Sequence, residues 1–393
     1  MFYFIFNLIF FLYYIIITIM NDLIYHSSLP EATQPTYIEH NNIDFVLNVG
    51  EGRSLVRNSV RINAEIKITT DGTTRPAAAA IGSGVYLDFR VGAHGVVESC
   101  QTVFGNSGLK ENIANYARWV EMNALGSLYE DDFCNASNQV ELRAPNEIAS
   151  AFLSQGYISN TTNPTDDNQD FSIKPLCILN KMTGSHLPFE KSGEIRLTIN
   201  LARNMSALMG SNQGPGATYE LSNVHCSYHS VPTVGNWQQT ATSMRSVYNV
   251  KSTILSGSAN VSAQVPAVCD AVSVSFQSQN RENQNVVNNY QCETVQGIKR
   301  VQFLFNDSTN KYITYEMNDQ QEMLNRYVDS FVNTGHNMVS GDAFRTNAGF
   351  GLGLHFQGFI DLSNQRFALQ LESDVNNTRP LNCYMYFHSQ ISV

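Results

Sequence analysis

The sequence predicts an all-β protein built as a tandem repeat, and three observations carry that expectation. Apolar residues recur at every second position in run after run, the mark of half-buried strands. Helical patterning is confined to a few short stretches. Related phrases also stand roughly 160 to 200 residues apart, as in duplicated domains. Val97–Ser107 (VESCQTVFGNS) parallels Ile298–Ser308 (IKRVQFLFNDS), each ahead of a helix-like stretch, the first with Tyr116 and Trp119 and the second with Leu324 and Tyr327. Asn223–Ser230 (NVHCSYHS) matches Asn382–Ser389 (NCYMYFHS) at Asn, His and Ser.

Taken in order, residues 21–42 read as a polar, irregular arm. Alternation begins with Ile43, Phe45, Leu47 and Val49. It continues through Ile62, Ala64, Ile66 and Ile68, then Val85, Leu87, Phe89 and Val91, with Asp71-Gly72-Thr73 as a break. Ile195, Leu197, Ile199 and Leu201 follow, and Leu221 to Val231 ends the first group, so the first domain is expected over 43–231. Residues 232–243 read as a linker, since Pro232 and Gly235 interrupt any strand ladder. A second domain over 244–393 repeats the grammar. Val272, Val274 and Phe276 alternate, as do Val301, Phe303 and Phe305, and then Phe350, Leu352, Leu354 and Phe356. Phe367, Leu369 and Leu371 precede Cys383, Met385 and Phe387. Helices are expected near Asn112–Leu125, after the Asn146 cap through Ile148, Phe152 and Leu153, and over Asp319–Phe331. Many short alternating strands with isolated helices in long loops describe sandwiches or jelly rolls.

With 393 residues, 43% of them hydrophobic, the chain can bury two cores. Only 15% are charged, so the surface is polar but weakly ionic, as in proteins packed against copies of themselves. A net charge of -10 without a basic run argues against direct nucleic-acid binding. Seven cysteines without a CxxC read as reduced core thiols. Six sequons, at Asn135, Asn160, Asn204, Asn260, Asn306 and Asn376, would point to glycosylation in a secreted protein, but an Asn- and Ser-rich composition produces many by itself. Residues 1–20 form an apolar leader, Phe2 to Ile19 being long enough to span a bilayer, and the first Lys or Arg is Arg53. A membrane anchor, an uncleaved signal and an upstream extension ahead of a start at Met20 compete; the last is favoured, because a run so rich in Phe, Ile, Tyr and Asn resembles translated AT-rich spacer more than a segment selected for orientation.

No constellation presents itself as a catalytic, cofactor or metal site. His225 and His229, beside Cys226, lie four apart on a strand, ~13 Å along its axis, too far to share an ion. Asp166, Asn168 and Asp170 start like a calcium loop, but Phe171 and Cys177 stand where Gly and Glu are needed, so a solvated acidic loop is expected. Gly210–Gly216 lacks the Lys and Ser/Thr of a phosphate loop and reads as a turn. Gly349, Gly351 and Gly353, alternating with apolar residues, are expected to admit a close neighbour. The carboxylates Glu98, Glu111, Asp131 and Asp132 show no spacing that selects a catalytic pair.

Three features resemble the double jelly-roll major capsid proteins of the adenovirus, polinton and tectivirus lineage of DNA viruses. Strands feed a helix in each half (Val96 to Asn123, Gly297 to Phe331), Tyr219-Glu220-Leu221-Ser222-Asn223-Val224 closes the first domain, and Ile360-Asp361-Leu362-Ser363-Asn364 approaches the last hairpin. The resemblance spans about residues 40 to 393. It implies two tandem eight-stranded antiparallel jelly rolls with short helices in loops. It also implies a homotrimer forming a pseudo-hexameric capsomer of an icosahedral virion shell, assembled in the host cell. The partners expected are further copies and other capsid proteins such as a penton, with an internal membrane left open, no cofactor and no enzymatic activity. A membrane-anchored or secreted lectin-like β-sandwich is the alternative, and a carbohydrate-active jelly-roll enzyme ranks last.

Overall fold

A computed structural model describes residues 22–70, 85–127, 135–145, 150, 168–209, 216–233, 240–254, 259–279, 293, 298–305, 310–316, 320–331, 351–363, 365–373 and 380–392. The first half contains β1 (Ile24–Ser28), β2 (Asn42–Leu47), β3 (Arg53–Val56), β4 (Arg61–Thr69), β5 (Tyr86–Leu87) and β6 (Val97–Phe104). Then come β7 (Gly108–Ala114), helix α1 (Tyr116–Ser127), β8 (Gln169–Ile173), β9 (His186–Pro188), β10 (Ile195–Leu201), β11 (Leu208–Met209) and β12 (Thr218–Pro232). The second half contains β13 (Ser243–Ile254), β14 (Ala259–Gln264), β15 (Val268–Ser278), β16 (Ile298–Phe305) and β17 (Asn310–Glu316). It ends with helix α2 (Gln320–Asp329), β18 (Leu352–Asp361), β19 (Arg366–Ser373) and β20 (Leu381–Ser392).

Two four-stranded antiparallel sheets form the second half, in the orders β13-β20-β15-β18 and β14-β19-β16-β17. Numbered within that half, these are strands 1-8-3-6 and 2-7-4-5, the order of a jelly roll. The first half repeats it. Its eight principal strands give β1-β12-β4-β8 and β2-β10-β6-β7, with β3 and β9 extending the first sheet along the end of β12. Hence β6 and β16 occupy equivalent places, as do β12 and β20, the pairs singled out by the repeated phrases.

Alternation explains the packing between facing sheets. On β4, Ile62, Ala64, Ile66 and Ile68 point inward and are buried, while Arg61, Asn63, Glu65 and Lys67 are half-exposed. Phe45, Leu197 and Phe104 close the first core from the opposite sheet, and Phe276, Phe303, Phe367 and Phe387 fill the second. Burying one such side chain stabilises by roughly 1.5–3 kcal/mol.

The structure corrects four expectations. The arm 21–42 contains β1, which pairs with β12 from Ile24↔Ser230 to Ser28↔Cys226, so the first jelly roll begins before Ile43. As an edge strand with mostly exposed side chains, β1 is held by backbone pairing and by the stacking of His26 on Tyr228, and it shows no apolar alternation. The run Val85, Leu87, Phe89, Val91 contributes only the two-residue β5 and then turns into a 3-10 helix, Gly92–Val96. There Asp88 accepts hydrogen bonds from the N–H groups of Arg90 and Val91, and Gly92 sits at φ 59° with its Cα against the Glu141 carbonyl. Residues 112–114 finish β7 instead of opening a helix, and Asn115 at φ 50° separates strand from α1. Asp170 lies on β8 beside buried Phe171, where pairing with β4 replaces the expected acidic loop.

The apolar leader, the helix expected through Phe152, most of the Gly210–Gly216 turn, Gly349 and residues 234–239 of the linker lie outside the described residues, and at the linker's ends Pro232 still belongs to β12, paired with Arg53, while Ser243 opens β13. Among the described residues no helix is long and apolar enough to cross a membrane.

Candidate functional site: the junction of the two halves

The chemically densest region of the fold is where the edge strand β7 and helix α1 of the first half meet sheet β13-β20-β15-β18 of the second. Strand β7 alternates, so Glu111 and Ile113 turn inward and are buried. The Glu111 carboxylate accepts the N–H of Ile178 at 2.8 Å from its own half and that of Val247 at 3.0 Å from the other. Burial pushes this carboxyl up to about 7, against the pull of the two N–H donors and of Lys181. Lys181 is itself lowered by burial, opposed by Glu111, and its ammonium lies 4.8 Å from the Trp119 ring centre.

Helix α1 lies across β20. Trp119 meets the rings of Tyr386 and His388, each at 5.4 Å, and the Arg118 guanidinium sits 4.5 Å over Tyr384 while donating to Gln277. Tyr386 donates to the Asn115 carbonyl at 3.3 Å, and the amide of Asn115 donates to that of Asn249. Backbone bonds Thr183 N–H to Ser243 C=O and Arg245 N–H to Lys181 C=O stitch the loop after β8 to β13. Beside α1, on the same face of the sheet, α2 seats Tyr327 and Ser330 against Gly351 and Gly353. A Cβ on either glycine would stand 2.3–2.4 Å from them, so the expected close approach is made by this helix. His388, pushed down to about 3 by burial and then by Lys181 and Arg245, is neutral and shares a 2.9 Å hydrogen bond with Ser273.

Beneath α1 a second buried network ties the helix to its own half. Tyr116 bonds His94 at 3.0 Å, and His94 bonds Glu141 at 3.2 Å. Burial keeps His94 neutral and would raise Glu141, but the contacts with His94, Arg143 and the Lys174 N–H hold Glu141 at about 2. These contacts fasten elements together.

The other candidate residues stay apart. Glu98 is exposed on β6, Glu111 is sealed in the junction, and Asp131 and Asp132 lie outside the described residues. His225 and His229 are half-buried on the outer face of β12, whereas Cys226 points into the core. Cys100, Cys177, Cys226, Cys269 and Cys383 are free and buried. Among the described residues, no three His, Cys, Asp or Glu come together as a metal site.

No protein-family model and no curated protein sequence matches the chain. Solved structures do. The Faustovirus major capsid protein superposes with a TM-score of 0.58 at 10% identity, covering 94% of this chain and 90% of that one. A quasi-atomic model of the PBCV-1 virus capsid gives 0.55 at 11%, covering 94% and 93%. The mavirus major capsid protein gives 0.51 at 9%, covering 93% and 86%. Identities this low speak to the fold, and the coverage takes in both halves.

The chain is a double jelly roll. Within a double jelly roll the junction sets one roll on the other and fixes the angle between them. Sequence reading named Glu111 only as one carboxylate among several and did not mention Lys181. Its one available signal was the inward phase of Glu111 beside Ile113 on an alternating strand, a charge where an apolar residue belongs.

Proposed function

We propose that the chain is a major capsid protein, three copies of which form a pseudo-hexagonal block of an icosahedral DNA-virus shell. The observation that carries this reading is the duplication itself: two rolls of identical strand order, in a chain that resembles capsid proteins over 94% of its length. Two similar but unequal rolls present different lateral surfaces, so contacts between copies are heterologous and must close into a ring or propagate. Three chains supply six near-equivalent rolls, the number that tiles a hexagonal sheet. The work done is assembly: weakly charged surfaces lose little by desolvation when they meet. No catalytic group or cofactor takes part. The chain's place is then the virion, its partners being further copies and a protein that fills the fivefold positions.

Native mass measurement on the purified chain tests the reading. A particle of three 43.8 kDa chains, with hexagonal outline in negative-stain images, is expected. A stable monomer at high concentration would remove the capsid reading.

A further inference from the structure

Strand β1 has little to hold it in place. It pairs with β12 alone, and among the described residues no strand lies along its other edge. Ile24, Tyr25 and Ser27 are exposed, so apolar burial contributes little. His26 and Ser28 share the inner side of the strand. There Ser28 donates to the Val46 carbonyl at 2.9 Å, and His26 joins a cluster centred on the buried hydroxyl of Ser230.

The cluster exists because of a proline. Extending the register of β1 along β12 sets Asp22 opposite Pro232. The Thr233 N–H turns to the other side, where the Gly52 carbonyl accepts it at 2.9 Å, so the Pro232 nitrogen faces β1 with no hydrogen to give. Arg53 on β3 supplies the donor instead. Its Nη2 reaches across β12 to the Asp22 carbonyl at 2.7 Å and the Ser230 carbonyl at 3.0 Å, while its Nε donates to Ser230 Oγ at 2.8 Å. His26 Nε2 lies 2.7 Å from that same oxygen, and its ring stacks on Tyr228 at 4.8 Å, 5° from parallel. With Arg53 on one lone pair of the oxygen, the hydroxyl proton goes to His26, which requires a bare Nε2 and hence a neutral ring.

A protonated His26 meets the reverse conditions. Its N–H faces an oxygen already taken by a guanidinium, and its charge stands beside that of Arg53. Around it are Arg53 from β3, His229 and Tyr228 from β12, and Tyr25 with the exposed Asp22 from its own segment. The Tyr228 hydroxyl is engaged with Asn48, and the carboxylate of β2, Asp44, bonds Thr198 of β10. Burial first, then Arg53 and His229, push the His26 pKa below the usual 6.5. The folded value lies below the unfolded one, so the tie contributes stability above pH 6.5 and loses it as pH falls through the lowered value.

We propose that Ser230, Arg53 and His26 form an acid-released latch: neutral His26 holds β1 on the roll, and a proton on its ring frees β1 and the residues ahead of it from β12. The latch works within one chain and does not depend on how chains assemble. Release bares the β12 edge from Cys226 to Ser230, whose unpaired N–H and C=O groups can then take another strand.

Hydrogen–deuterium exchange on the full chain tests the latch, with protection corrected for the intrinsic rate at each pH. Protection over residues 22–29 is expected to be lost between pH 8 and pH 5 while that of β20 persists. His26→Gln keeps an acceptor for the Ser230 hydroxyl but takes no proton, so β1 is expected to stay protected at both pH values. No loss in the parent, or an equal loss in His26→Gln, overturns the proposal. Should His26→Gln fail to fold or to hold β1 at pH 8, His229→Gln decides. Its ring lies on the outer face, outside the latch, so the acid loss must persist in that variant; disappearance of the loss would assign the titration to His229 and overturn the latch.

Discussion

Replacing Glu111 by Gln separates two contributions that this carboxyl makes at the junction. Its oxygens accept two buried backbone N–H groups, Ile178 on one and Val247 on the other. Gln offers one acceptor oxygen, so one N–H is left facing an amide NH2, at a cost of ~1–3 kcal/mol. Ionisation acts in the opposite sense. Burial raises the folded value from 4.5 to about 7, above the unfolded one, so the group's contribution is fully present below pH 4.5 and is lost as pH rises through 7. The gap between those two values corresponds to ~3 kcal/mol at full ionisation. Gln carries no charge at any pH. Urea unfolding of the chain and of Glu111→Gln between pH 4 and 8 should therefore give curves that converge or cross. The variant is less stable by ~1–3 kcal/mol at pH 4, and the parent loses ~3 kcal/mol relative to it by pH 8. Asp88, which burial also raises to about 7, titrates in both proteins and cancels in the difference. Parallel curves over the whole range would refute the assignment of this titration to Glu111.

Three further outcomes are expected. Trp119→Ala removes the ring that meets Tyr386, His388 and Lys181 and should cost ~3–5 kcal/mol; calorimetry should then resolve the two rolls as separate transitions, and one unshifted transition would count against the junction as described. Gly353→Ala places a Cβ 2.4 Å from the Ser330 Oγ and 3.0 Å from the Tyr327 backbone, so α2 must shift, at ~1–3 kcal/mol by denaturant midpoint; a neutral result would mean α2 does not rest on β18. Cys100, Cys177, Cys226, Cys269 and Cys383 are buried, and burial pushes the Cys269 thiol up to about 12, so none should alkylate until denaturant is added; rapid labelling of the native chain would contradict their burial.

Much of the fold was legible because it is local. Ile62 to Ile68 and Ile195 to Leu201 announce themselves by phase alone, since a strand between core and solvent must alternate. Helix α2 showed its face through Met323, Tyr327 and Phe331, all buried. Strand β1 was illegible because an edge strand is held by backbone hydrogen bonds, which leave no side-chain signature. The run Val85 to Val91 misled for the opposite reason. Val85, Leu87 and Val91 are buried, but Asp88 and Gly92 bend the backbone out of the sheet.

By itself the sequence determined the class, the duplication and the register of the two closing strands, because side-chain periodicity and repeated phrases are properties of neighbours along the chain. Only the tertiary structure decided that Glu111 is a sealed tie between the rolls, since its partners Ile178 and Val247 lie 67 and 136 residues away. Burial is a property of what the rest of the chain lays over a residue, and strand periodicity carries no record of which face is covered by another roll.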